Sequence, residues 1–174
     1  YVDKTAMVYS LAHGSTVYFL GRPRRFGKSL LISTFENYFL GKKELFKGLA
    51  IEKLETEWKT YPVFHIDFGT GSYANEDALN QIFEFYLSGW ERKYQIEREP
   101  GVTDYNLRFK KVLEEAHRQT GLRAVVLVDE YDKPLLDVMD TGYMVEHLGE
   151  QITLEEKNRN MLRAFYSTFK GADK

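Results

Sequence analysis

The chain has no cysteine. A disulfide framework and any thiolate metal site are therefore excluded. No apolar run approaches the roughly 20 residues that a membrane-spanning helix needs, and no signal peptide is visible. The expected location is the cytoplasm, with no membrane partner. Charge of one sign is also scarce: the net charge is −2 and the pI about 6.1. That balance argues against a surface built to coat nucleic acid, while a local basic patch stays open. Internal repeats, low-complexity tracts and a clear linker are absent. His13, His65, His117 and His147 show no metal-ligand spacing, and His65, on a strand, reads as core or loop packing. What remains is globular. With 174 residues, 43% hydrophobic and 29% charged, the chain can bury one core. It opens at Tyr1 rather than methionine, so the expectation is a trimmed piece of a longer reading frame.

The most informative stretch is Gly21-Arg-Pro-Arg-Arg-Phe-Gly-Lys-Ser29. An apolar run, Val17–Leu20, precedes it, and a helical pattern from Leu30 to Leu40 follows. Strand, loop and helix in that order make a phosphate cradle, because backbone N–H groups of the loop and first helical turn point at an anion. Arg22, Arg25, Phe26, Gly27, Lys28, Ser29 and Leu30 are assigned to the nucleotide. Lys28 brings charge to the β- and γ-phosphates, and the Ser29 hydroxyl is a Mg²⁺ ligand. The spacing departs from G-x-x-x-x-G-K-[ST]. Arg22 stands where the first glycine belongs, and Gly21 falls one place early. Gly-Lys-Ser alone is a weak signal.

A second motif strengthens the reading. Ala124–Val128 is a continuous apolar run, as expected of a central parallel strand buried on both faces. It ends in Asp129-Glu130, and the carboxyl ends of strands are where open α/β sheets bind ligands. Asp129 is placed on the Mg²⁺ shell. Glu130 is placed to orient or deprotonate an attacking water. A surface turn with two acids is the plainer alternative, but two matched motifs in the correct order rarely coincide.

Helical patterns cover Val2–Ala12 and the stripe Leu31, Phe35, Tyr38 and Phe39, which Gly41 can end. Leu45-Phe46 and Leu49–Ile51 anchor a loop or short helix. Val63–Phe68 reads as a second strand. Asn75 is the expected cap of a long helix with Leu79, Ile82, Phe83, Tyr86, Leu87, Trp90 and Tyr94 on its apolar face. A further helix follows Thr103 and stops at Gly121. Pro134 can begin a helix through Val138. Thr153 and Glu156 form a capping-box pattern before the stripe Met161, Leu162, Phe165 and Phe169. Alternating strands and helices predict an α/β P-loop fold of three layers, α/β/α, around a mainly parallel sheet. The Asp-Glu pair suits the division with a catalytic glutamate and an additional strand between the two motif strands.

Tyr-Val-Asp-Lys-Thr5, Arg-Pro-Arg-Arg-Phe-Gly-Lys-Ser-Leu30 and Val-Asp-Glu-Tyr-Asp-Lys-Pro134 resemble the AAA-ATPase-like family of bacterial and archaeal proteins. The resemblance covers nearly the whole chain. It implies an ATP-binding fold, and it makes the arginine-rich loop a family trait. Many members carry a PD-(D/E)XK nuclease-like domain after the ATPase domain. Such ATPase domains also continue into a strand with a polar sensor residue. The expectation is that residues 1–174 form one incomplete domain, truncated at its C-terminus, with that strand and any nuclease-like domain absent.

Other residues carry competing readings. Arg22, Arg24 and Arg25 are favoured as phosphate-adjacent, or as partners of Asp132, Asp137 or the Asp3 segment, over nucleic-acid contacts. Nucleic acid enters only through an effector. Asp67 could order Mg²⁺ water or simply cap a loop. Arg159 and Arg163 could serve as arginine fingers in a homo-oligomer, although a solvated helix face is the plainer reading. Trp90 reads as core before it reads as a base-stacking platform. Two functions stay open. One is Mg²⁺-dependent ATP hydrolysis regulating an attached effector. The other is a nucleotide-binding interaction module with little or no turnover.

Overall fold

A computed structural model of the protein describes residues 2–14, 17–21 and 26–170. The fold is mixed α/β. Its elements are α1 (Thr5–Ala12), α2 (Lys28–Phe39), α3 (Ala50–Leu54), β1 (Val63–Asp67), α4 (Ala78–Lys93), α5 (Tyr105–Thr120), β2 (Val125–Asp129), α6 (Lys133–Leu136), β3 (Met144–His147), β4 (Glu150–Thr153) and α7 (Leu154–Lys170). The chain divides into two units. One holds residues 1–65 and 120–129, the other residues 66–119 and 130–174.

The first unit is organised by the stripe on α2. Tyr38 is buried with Val8, Phe46 and Ile51, and Leu31, Phe35, Phe39 and Trp58 pack against them. Gly41 ends α2 as its sequence predicts. Its φ of +69° is the left-handed cap conformation. Gly41 N–H donates to the Tyr38 carbonyl at 2.9 Å and Lys42 N–H to the Asn37 carbonyl at 3.1 Å, a Schellman closure. The Asp3 carboxylate accepts from Thr5 N at 2.9 Å, from the Thr5 hydroxyl at 2.7 Å and from Ala50 N at 2.7 Å. Those bonds hold its pKa below the usual carboxylate value. Ile51 N donates to Thr5 Oγ1 at 3.1 Å. The Asp-Lys-Thr segment is thus a polar staple between α1 and α3.

β1 and β2 hydrogen-bond as a two-stranded parallel sheet. Two sequence expectations fail here. Val17–Leu20 forms no strand: it is irregular, with Val17 65% and Phe19 73% exposed. Residues 125–128 are half-buried rather than covered on both faces. Among the described residues β2 pairs with β1 alone, so the sheet is too small to enclose it. Apolar composition permits Val17–Leu20 to extend but does not require a strand, because a strand exists only as part of a ladder.

The second unit packs α4, α5 and α7 through aromatic rings. Phe165 of α7 lies 4.5 Å from Phe83 of α4 and 5.0 Å from Phe109 of α5, ring centre to ring centre. Trp90 packs against this core at a tilt, its ring centre 5.4 Å from that of Phe109. Asp77, not Asn75, is the residue before α4. The Asn75 side chain instead accepts from Asp77 N at 3.0 Å. Asp104 caps α5 through bonds from Asn106 N and Leu107 N. Thr153 Oγ1 accepts from Glu156 N at 3.1 Å, the expected cap of α7.

β3 and β4 form an antiparallel hairpin that the sequence reading did not include. Leu148 and Gly149 make its two-residue turn, both at positive φ. The residue-Gly dipeptide between alternating runs was the available signal. Leucine there is an unusual turn former, which hid it.

Candidate functional site

The phosphate-loop residues begin α2. Gly27 precedes the helix at φ +74° and gives it no side-chain cap, and among the described residues nothing lies within 4 Å of where a Cβ would stand. Lys28 and Ser29 are the first two helical residues. Lys28 is half-buried, while Phe26, Ser29 and Leu30 are exposed. Gly27 supplies no cap to the first amides of this twelve-residue helix, and helix N-termini present such donors to anions. Arg22 and Arg25, with Pro23 and Arg24, lie outside the described residues.

Asp129 closes β2 and is 7% exposed. It belongs to the same unit as Lys28 and Ser29, and α2 packs on β2. Glu130 is the next residue and begins the second unit. Its φ is +49°, a left-handed conformation uncommon for a non-glycine residue. Such strain concentrates at functional positions. The turn that follows is well tied. Lys133 N donates to the Glu130 carbonyl at 3.0 Å, and Leu135 N and Leu136 N both donate to the Asp132 carbonyl at 3.0 Å. The Lys133 ammonium bonds both oxygens of Asp137, at 2.9 and 2.7 Å, and Asp137 also accepts from Tyr73 N at 3.1 Å. Burial pushes the Asp137 carboxyl upward, but these bonds outweigh it and leave its pKa lowered. Asp137 thus pairs with Lys133, and Asp3 accepts from Thr5 and Ala50. The i, i+4 spacing of Lys133 and Asp137 was the readable signal for this pair.

Asp67 takes the plainer of its two readings. Its carboxylate caps the 3-10 turn Phe68–Thr70 by accepting from Gly69 N at 2.7 Å. His65 bonds Glu36 of α2 through Nδ1 at 3.1 Å, a structural tie within the first unit. Arg159 pairs with Glu155 one helical turn away, and Arg163 is exposed. Both fit a solvated face of α7.

Among the described residues, no group of three or more His, Cys, Asp or Glu side chains is placed to hold a metal. Ser29 opens α2 and Asp129 closes β2, and both belong to the first unit. No described helix is long and apolar enough to cross a membrane.

The family model described as "Predicted AAA-ATPase" matches residues 1–174. A protein of Azotobacter chroococcum mcd 1, named "Uncharacterized protein in vnfD 5'region", is 36% identical over 176 residues. The match covers 99% of this chain but 31% of that protein, so the chain spans about a third of its relative's length. No solved structure matches the chain. The phosphate-loop helix, the strand ending in Asp129-Glu130 and the full-length family match place this chain in the AAA-ATPase-like family.

Proposed function

We propose that the chain is an ATP-binding P-loop module, of the three-layer architecture with an additional strand, that hydrolyses ATP with Mg²⁺ to govern an attached effector. The observation that supports this reading lies within the first unit: Lys28 and Ser29 open α2, which packs on the strand that ends in buried Asp129, and Glu130 follows Asp129 directly in the chain. The amides of Gly27, Lys28 and Ser29 would hold phosphate oxygens. Lys28 would neutralise the terminal phosphates, and Arg22 and Arg25 would flank them. Ser29 and Asp129 would hold Mg²⁺, which supplies charge neutralisation at the triphosphate. Glu130 would orient a water and accept its proton. The relative's greater length supports an effector on the same polypeptide, such as a nuclease-like domain. Self-association would supply arginines in trans.

Arg22 in place of the first glycine favours the second reading, an interaction module that binds nucleotide and turns it over little. Steady-state ATP hydrolysis and MgATP binding by the intact protein, with Glu130→Gln beside wild type, separate the two. The expected result is retained binding and turnover lowered about 100-fold or more. A Glu130→Gln protein that hydrolyses at the wild-type rate shows that Glu130 is not the base. A wild-type protein that binds MgATP without hydrolysis supports the interaction module.

A further inference from the structure

The 3-10 turn after β1 carries an exposed glycine at its centre, Gly69. Its backbone is not left-handed, so no dihedral angle demands glycine there. Alanine at such a position ordinarily raises stability by restricting the unfolded chain. Space demands glycine instead. A Cβ on Gly69 would stand 2.9 Å from Asp67 Oδ1 and 3.3 Å from Glu130 Cγ. The first approach is closer than real Cβ atoms make, and the second is tight.

Both neighbours are held in place. Asp67 Oδ1 accepts from Gly69 N at 2.7 Å. The Asp67 backbone is tied to Tyr86 of α4: its N–H donates to the Tyr86 hydroxyl oxygen at 3.0 Å, and its carbonyl accepts from that hydroxyl at 3.4 Å. Glu130 is fixed by its left-handed backbone and by the bond from Lys133 N to its carbonyl. Every residue named belongs to the second unit.

We propose that Gly69 is a positioning residue for Glu130. The bare backbone of the turn is a seat for the aliphatic stem of Glu130, and the Asp67–Tyr86 contact holds the seat still. This inference rests on the reading of Glu130 as the group that activates water. A glutamate has three side-chain torsions. A base must nevertheless be placed within a fraction of an ångström, so a surface that restricts the stem contributes directly to rate. The carboxylate of Asp67 serves the seat through Gly69 N.

The test uses the intact protein with Gly69→Ala and Glu130→Ala, singly and combined. Thermal unfolding, MgATP binding and steady-state hydrolysis are measured on each. Gly69→Ala is expected to keep MgATP affinity and KM within about two-fold, while kcat falls about ten-fold or more. It should also lower Tm, and lower it less when Glu130 is already alanine, because the opposing Cγ is gone. Should Gly69→Ala alone fail to fold, recovery of folded protein in the double substitution supports the seat, and no recovery overturns it. A rise in Tm on Gly69→Ala, a Tm loss independent of residue 130, or wild-type kcat overturns the positioning role alone. Wild-type turnover by Glu130→Ala overturns the catalytic reading of Glu130 and the positioning role together.

Discussion

Arg108→Ala should be among the most damaging single substitutions in the second unit. Arg108 lies on α5 and is 5% exposed. Its Nε donates to Glu91 Oε1 at 2.8 Å and its Nη2 to Glu91 Oε2 at 2.9 Å, a bidentate pair with α4. Its Nη1 donates to Glu84 Oε2 at 2.6 Å, and Arg98 also bonds Glu84. Burial disfavours the charged guanidinium, yet the bonds to Glu91 and Glu84 outweigh it and raise its pKa. Truncation leaves Glu91, itself 8% exposed, with Arg98 at 3.8 Å as its remaining ion pair among the described residues. Breaking a buried pair on one side costs about 3–5 kcal/mol. For a chain of this size that is a Tm fall of roughly 6–20 °C. Circular dichroism melts and urea titrations at pH 7 measure it. Arg108→Met with Glu91→Leu should recover most of the loss, because both charges then leave the interior together. A loss within about 1 kcal/mol, the worth of an exposed pair, would refute the reasoning. So would a double substitution no more stable than Arg108→Ala, since the loss would then come from packing rather than stranded charge.

Lys28→Ala should abolish triphosphate binding while leaving the melting temperature close to wild type. The lysine sits half-buried in the first turn of α2 and outside the hydrophobic cluster. A fluorescent-nucleotide titration with unchanged affinity would remove the proposed site. Asp129→Asn should shift nucleotide binding to higher Mg²⁺ concentration, and a Mg²⁺ titration identical to wild type would take Asp129 off the metal. Stability should fall on acidification through a defined window. Hydrogen bonds from Arg108 hold Glu84 at about 2 against an ordinary 4.5. A carboxylate with a depressed folded pKa contributes fully above the unfolded value, so its contribution is lost as pH drops from 4.5 toward about 2. Melts across that range should bring wild type and Arg108→Ala closer together, and a constant gap between them would contradict the assignment.

Local signals were legible where the cause acts over one helical turn. The α2 stripe, the Gly41 stop, the Thr153 cap and Pro134 in the first turn of α6 all appear where residue spacing puts them. The cap of α4 moved because Asn75 and Asp77 both suit that role, and the chain used one to hold the other. Val17–Leu20 has the composition of a strand, but composition reports only that a backbone can extend. Whether a ladder forms is a long-range matter, and the ladders among the described residues are β1–β2 and β3–β4. The candidate site divides in the same way. Lys28, Ser29, Asp129 and Glu130 could be picked out by type and order. The left-handed backbone of Glu130 could not, and neither could its closeness to Gly69, which joins residues distant in the chain.

The sequence by itself determined the main helices, the apolar strands at residues 63–67 and 125–129, and that Lys28-Ser29 opens a helix while Asp129 ends a strand. Hydrophobic period, capping chemistry and motif spacing are all written within a few residues of one another. Tertiary structure alone decided that Asp3 staples α1 to α3, that Arg108 is buried between two glutamates, and that Gly69 is a matter of space rather than of dihedral freedom. Each of those depends on which groups long-range packing brings within hydrogen-bond or van der Waals reach. No local pattern encodes that, because the interaction energy falls away within a few ångströms of the contact.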